Sequence, residues 1–411
     1  MISTSLVDAP LFQILQQPKI TSPLGFRSAG IHSGVKRKRP DLGAIVCEVP
    51  ANSAAVYTTN AFQAAPLKVT QESIGVDGRL QALVVNSGNA NACTGNRGLQ
   101  DAYQMRQKMA EQLGIAPHLV GVASTGVIGQ FLPMEKILNG IDQLDSCLDV
   151  EDDIFAQAIL TTDTCTKQVG VQVDVDGKQV TIAGVAKGSG MIKPNMATML
   201  GFITTDAVIE PDPLQSLLWK TTDETFNMIT VDGDCSTNDM VVAMASGLVD
   251  HAPLQPKHPA WTRFQAAFQY VCQELSKKIA RDGEGANCLI EAHVKGATTG
   301  EMARNVAKAI VGSSLVKSAV FGADANWGRI ICAAGYGDSS LTPDKVDVFL
   351  GPIQVVKNGL PIAFDEDKAS QLLKQEKVAI HLYLHQGEET ATAWGCDLTY
   401  EYVKINASYR T

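Results

Sequence analysis

The stretch "GVAKGSGMIKPNMATMLGFITTDA", Gly184 to Ala207, sets two textures side by side. The first half is a glycine-punctuated loop carrying Lys187 and Pro194, and the second half reads as a buried strand led by Thr198. One reading of the loop is a phosphate cradle, but its lysine precedes the glycines and no G-K-[ST] follows. Another is a loop built so that the chain breaks before Thr198. The plainest is a surface loop feeding a core strand.

Outward from this stretch, strands and helices alternate. Strand-like "LGAIVCEV" and "LQALVVNSG" precede a helical pattern over "GLQDAYQMRQKMAEQLGI", which Gly114 should end. "LVGVASTGVIGQ" reads as a strand entering a glycine turn, followed by helical "PMEKILNGIDQL". "VGVQVDVDGKQVTIAGVA" alternates on both sides of Asp176-Gly177 and predicts a tight hairpin. Beyond Thr198, helices are expected over "DPLQSLLWKTTDETFNMI", "AWTRFQAAFQYVCQELSKKIARDG" and "GEMARNVAKAIVGSSLV". Strands are expected at "NCLIEAHVKG", "RIICAAGYG", "VAIHLYLH" and "CDLTYEYVKINA", and a hairpin at "KVDVFLGPIQVVKNG". The pattern predicts an α/β (α+β) fold: layers of helices around mainly antiparallel or mixed sheets, with elements shared between two intertwined halves.

A chain of 411 residues exceeds what one core usually serves. Its hydrophobic fraction of 45% and charged fraction of 19% are those of a soluble globular protein. A net charge of −9 argues against nucleic acid or an anionic membrane as partner. The basic run "KRKRP", Lys36 to Pro40, reads as a solvated loop. Nine cysteines stand singly without a C-x-x-C, which suits buried thiols in a reducing compartment. The first residues lack a signal or transit pattern, and no apolar run reaches the roughly 20 residues that span a bilayer. A cytoplasmic protein is expected.

Metal chemistry is poorly supported. His381 and His385 are four apart, but in an alternating strand that spacing spans about 13 Å, too far for one ion. A serine triad lacks its G-x-S-x-G elbow, and "GNANACTG" and "GADANWG" miss dinucleotide spacing. A threonine nucleophile remains. A hydroxyl needs an adjacent base, and a threonine at a chain N-terminus carries one, its α-amine with a pKa of about 7.7–8.0. Such a terminus inside the chain requires cleavage before Thr198. Ala197 is small enough to leave its carbonyl open, and Gly188, Gly190 and Pro194 permit a tight approach.

Taken together, these strings resemble the glutamate N-acetyltransferase (ornithine acetyltransferase) family of arginine biosynthesis. "KGSGMIKPNMATML" is similar to that family's self-cleavage signature. "STGVIG", "TTDT", "TVDGDCSTND", "ARDGEGA", "FGADANWGRI" and the final "YVKINASYRT" follow in the family's order, so the likeness covers essentially the whole chain. The resemblance implies the family's self-processing fold and cleavage between Ala197 and Thr198, giving an α chain (1–197) and a β chain (198–411). It implies that Thr198 takes acetyl from N-acetylornithine, releases ornithine, and passes the group to glutamate to give N-acetylglutamate. Thr125 and Gly126 would form the oxyanion hole, by hydroxyl and backbone N–H. Thr161, Lys187, Thr198, Glu284, Asn406 and Thr411 would bind substrate, Lys187 pairing the α-carboxylate and Glu284 the side-chain ammonium. No cofactor or metal is implied, and use of acetyl-CoA as an additional donor stays open. The two chains would assemble as an α2β2 heterotetramer. The related alternative is an N-terminal-nucleophile aminopeptidase or amidase, which passes the acyl group to water.

Overall fold

The computed structural model describes residues 11–149, 153–193 and 199–408. Leu200–Thr205, the strand that follows the glycine loop, is buried at all six positions, which explains why it reads as a continuous apolar run. It lies inside a nine-stranded mixed sheet. On one side it pairs antiparallel with Lys178–Lys187, and on the other parallel with Met240–Ala245. Beyond these, the long Leu42–Tyr57 strand pairs with Met240–Ala245 and Arg79–Asn89, and Val120–Val127 closes that edge. Strands from both sides of residue 197 therefore interleave in one sheet, so the expectation of intertwined halves holds.

A second, seven-stranded sheet is built from later residues, centred on Leu289–Ala297 between Lys377–Tyr383 and Glu389–Cys396. The Trp261–Arg281 helix lies between the sheets. Its Val271 and Leu275 sit where a side chain on Gly184 of the first sheet would go, and its Lys277 approaches the Trp394 ring of the second. Adjacent residues on a strand face opposite ways. Gly395, next to Trp394, abuts Val311 of the Gly300–Gly312 helix, which covers the far face. Helices and sheets thus alternate in layers, as the pattern predicts.

The Asp176-Gly177 hairpin forms with φ of +54° and +76°, the left-handed pair of a type I′ turn. Gly114 ends its helix in the left-handed conformation. Three expectations are corrected. "RIICAAGYG" is not a strand but part of the Trp327–Gly337 helix, capped by the Asn326 side chain accepting the Arg329 N–H. A short apolar run does not distinguish helix from strand, and the cap decides it here. "CDLTYEYVKINA" leaves the sheet at Cys396 and continues as the Tyr400–Ser408 helix, whose start Thr399 caps by accepting the Glu401 N–H. The alternation in "TYEYVKI" imitates a strand because the helix buries no face and so needs no helical apolar period. The helix over "GEMARNVAKAIVGSSLV" breaks at Ser313, which caps a new helix, Ser314–Phe321.

Two surface readings also shift. Arg37 to Arg39 are exposed, but Lys36 turns inward and donates to the carbonyls of Pro40 and Leu160 at 2.9 and 2.6 Å. Buried Asp41 draws the loop in by accepting the N–H groups of Ser33, Gly34 and Lys36. Burial lowers the Lys36 ammonium to a pKa of about 8. All nine cysteines are free, but only Cys47, Cys272, Cys288 and Cys396 are buried. Among the described residues no helix is long and apolar enough to cross a membrane, and no group of acidic, histidine and cysteine side chains could hold a metal ion. His381 stacks on His293 of the neighbouring strand at 4.8 Å instead.

Candidate active site

The Val120–Val127 strand ends in the "STGVIG" turn, and its parallel pairing with Arg79–Asn89 slips just there, around Gly88 and Asn89. Gly126 has φ of +136°, and a Cβ on it would come within 2.3 Å of the Gly88 carbonyl carbon, so only glycine fits. The Asn238 side chain holds this turn by donating to the carbonyls of Ala90 and Ser124, at 2.5 and 2.8 Å. Thr125 and Gly126 consequently face a fixed cavity of about 150 Å³.

Lys187, the last residue of the Lys178–Lys187 strand, enters the same cavity and donates to Thr125 Oγ1 at 3.2 Å. Burial lowers its ammonium pKa, and Asp163, Asp239 and Glu284 oppose that shift. Glu284 comes from the turn after the Trp261–Arg281 helix; its backbone N–H donates to Ser189 O, and its carboxylate accepts from Asn406 Nδ2 at 2.7 Å. Gly190 is glycine for this reason: a Cβ there would lie 2.4 Å from the Glu284 carboxylate. Thr161 completes the wall.

The structure thus brings Thr125, Gly126, Thr161, Lys187, Glu284 and Asn406 to one cavity, drawn from positions 281 residues apart in sequence at their extremes (Thr125 and Asn406). Ala197, Thr198 and Thr411 lie outside the described residues. Met199, the residue after Thr198, lines the cavity and accepts the Met240 N–H at 2.9 Å.

Sequence reasoning assigned no role to the supports behind this wall. Lys167 is fully buried and bridges Asp163 and Asp282, at 2.6 Å each. Asp163 also accepts the N–H groups of Thr161 and Gly188, at 3.0 and 2.7 Å. The two lysines hold its carboxyl well below the usual range against the effect of burial. One ion cluster therefore fixes both Thr161 and the residue after Lys187. The signal was available: "TTDTCTK" and "ARDGEGA" place charges among small residues, where a solvated loop rarely needs them. Asn238 and Asp239 of "TVDGDCSTND" were likewise left unassigned.

Residues 27–411 match the model of the ArgJ family. The chain belongs to the ArgJ family. It is 59% identical over 399 residues, 97% of each chain, to the arginine biosynthesis bifunctional protein ArgJ of Halalkalibacterium halodurans. Among solved structures, that of the ArgJ protein of Bacillus halodurans shares 62% identity, covering 45% of this chain and 98% of that one, with a TM-score of 0.44. An ornithine acetyltransferase of Mycobacterium tuberculosis complexed with ornithine shares 38% identity, covering 45% of this chain and all of that one, with a TM-score of 0.43. Family membership with such close ArgJ relatives makes the chain an acyltransferase of arginine biosynthesis.

Proposed function

We propose that the chain cleaves itself between Ala197 and Thr198 and then transfers acetyl from N2-acetyl-L-ornithine to L-glutamate through an acetyl ester on Thr198. The observation that carries this reading is the single cavity shared by Thr125, Gly126, Lys187 and Glu284, next to Met199. Donors and charges of the kinds the reaction needs converge there. Both half-reactions pass through a tetrahedral oxyanion, which the Thr125 hydroxyl and Gly126 N–H would bind. One well-placed donor of this kind contributes about 2.7–4 kcal/mol to the transition state. Lys187 suits the α-carboxylate of N-acetylornithine and Glu284, oriented by Asn406, its side-chain ammonium. Thr161 lines the same wall, and Thr411 would join the binding set.

Thr198 acts twice in this scheme. Its hydroxyl first attacks the Ala197 carbonyl, and hydrolysis of that ester frees the α-amine. The amine then serves as the base for the same hydroxyl. No cofactor is needed for an ester exchange of this kind. The α piece, 1–197, and β piece, 198–411, would remain joined after cleavage, because two strands of the β piece lie between strands of the α piece in one sheet. We further propose an α2β2 assembly in the cytoplasm. Purified protein given N-acetylornithine and glutamate should form N-acetylglutamate and ornithine in equal amounts. Free acetate as the main product would overturn the transfer reading and place the chain with the hydrolases.

A further inference from the structure

Asp239 stands at the end of the loop that leads into the Met240–Ala245 strand, and it lines the same cavity as Lys187 and Glu284. It is only 3% exposed, and its Oδ2 is buried with no hydrogen-bond partner among the described residues. Its neighbours are firmly held. Asn238 is fastened to Ala90 and Ser124 and accepts from Thr237 Oγ1 at 2.6 Å, while the Met240 N–H is taken by Met199 O. A buried carboxyl oxygen left unpaired in a rigid frame is costly, and it is found where a ligand or a reaction uses it.

Resting on the acetyl-transfer reading above, we propose that Asp239 is a further catalytic residue, whose free oxygen meets the amino group that leaves with the donor and arrives with the acceptor. In the first half-reaction the Thr198 Oγ–carbon bond forms and the amide C–N bond breaks. The departing nitrogen takes the hydroxyl proton by way of the Thr198 α-amine. Asp239 supplies one proton more, so ornithine leaves as an ammonium and Asp239 becomes a carboxylate. In the second half, the α-ammonium of glutamate gives a proton to that carboxylate. The neutral amine attacks the ester carbon, the C–N bond forms, and the C–O bond to Thr198 breaks. The next nitrogen proton returns to the hydroxyl through the α-amine, and every proton is back in place.

The surroundings suit this cycle. Burial raises the Asp239 carboxyl well above its ordinary range, opposed by hydrogen bonding from Ser236 and by the Lys187 charge. Burial therefore favours the protonated form that the first half consumes. The charged and titratable groups around it are Lys187 on the Lys178–Lys187 strand, Glu284 on the turn beyond the helix, and Cys235 on its own loop. Asp163 and Asp239 both act on the Lys187 charge.

The test is Asp239→Asn, with ornithine release and N-acetylglutamate formation timed separately from about pH 5.5 to 9. The wild type should slow in the first half as pH rises and in the second half as pH falls, through one shared apparent pKa. The variant should be cut like the wild type, run both halves about 100-fold slower, and lose the slowing of the first half at high pH, while the fall at low pH persists where the Thr198 α-amine is protonated. A variant within about threefold of wild type, or one slowed with both limbs intact, overturns the proposal. So does a variant that stays a single chain, which would move Asp239 to the cleavage step. Should the variant not fold, wild-type halves without the two opposed limbs overturn it as well. A wild type that forms no N-acetylglutamate sinks the transfer reading itself, which is a different failure.

Discussion

Replacing Lys167 by methionine keeps most of its buried stem and removes one charge. That charge sits 2.6 Å from Asp163 and 2.6 Å from Asp282, with Lys167 fully buried. Breaking a buried ion pair by deleting one partner costs about 3–5 kcal/mol, because the other charge is stranded. Here the stranded carboxylates keep other donors. Asp163 retains the Thr161 and Gly188 N–H groups, and Asp282 retains the N–H and hydroxyl of Thr164. The cost should therefore fall at the lower end, about 3 kcal/mol. With roughly 2.1 cal/mol/K of unfolding entropy per residue, a chain this long loses about 3–4 °C of Tm.

The pH dependence has a definite sign. In the wild type Asp163 is held below the usual carboxylate range and Lys167 above the usual lysine range, despite the burial of both. Their stabilisation is thus complete between about pH 4 and 10.4. It is lost as pH falls through the depressed Asp163 value or rises through the elevated Lys167 value. In the variant Asp163 has lost its nearest cation, so protonating it brings relief. The Tm gap between wild type and Lys167→Met should narrow from pH 7.5 to about pH 5. A thermal melt at fixed ramp rate reads both. A gap under 1 °C at pH 7.5, or one that widens on acidification, would refute the reasoning.

Two further substitutions probe the wall of the cavity. Gly126→Ala places a Cβ 2.3 Å from the Gly88 backbone at a φ of +136°. It should lower the kcat of acetyl transfer by about 100-fold or more, as loss of an aligned oxyanion donor does. Steady-state kinetics on the cut enzyme check this. Asn406→Ala deletes the 2.7 Å bond to Glu284 from a helix that buries none of its residues. Substrate KM should rise about tenfold, some 1.4 kcal/mol, with Tm changed by less than about 1 °C. A large Tm loss would show that the helix supports the fold and does not merely orient Glu284.

The sheet strands were legible because their burial imposes continuous or alternating apolar runs, and the hairpin because Asp176-Gly177 allows the required backbone. The Trp327–Gly337 and Tyr400–Ser408 helices were not. The first is a short apolar run in which the Asn326 cap and the Ile330, Ala333, Ala334 spacing are the helix signals, and the second carries no buried stripe. At the site, Thr125, Gly126, Thr161, Lys187, Glu284 and Asn406, which line the cavity, were named from the family strings. The residues that hold them were not. Asp163, Lys167 and Asp282 meet across 119 residues of chain, counted from 163 to 282, and only the fold brings them together. Asp239 was hidden differently, as one acid among several in a polar string, and its burial sets it apart.

The central claim is that Thr198 cuts the chain and then carries the acetyl group. The most direct measurement is the intact mass of purified wild type and Thr198→Ala, with the acetyl-transfer rate of each. The wild type should give two masses, one of them for a piece beginning at Thr198. The variant should give a single 411-residue chain that transfers nothing. A wild-type chain that stays whole and still makes N-acetylglutamate at full rate contradicts the account.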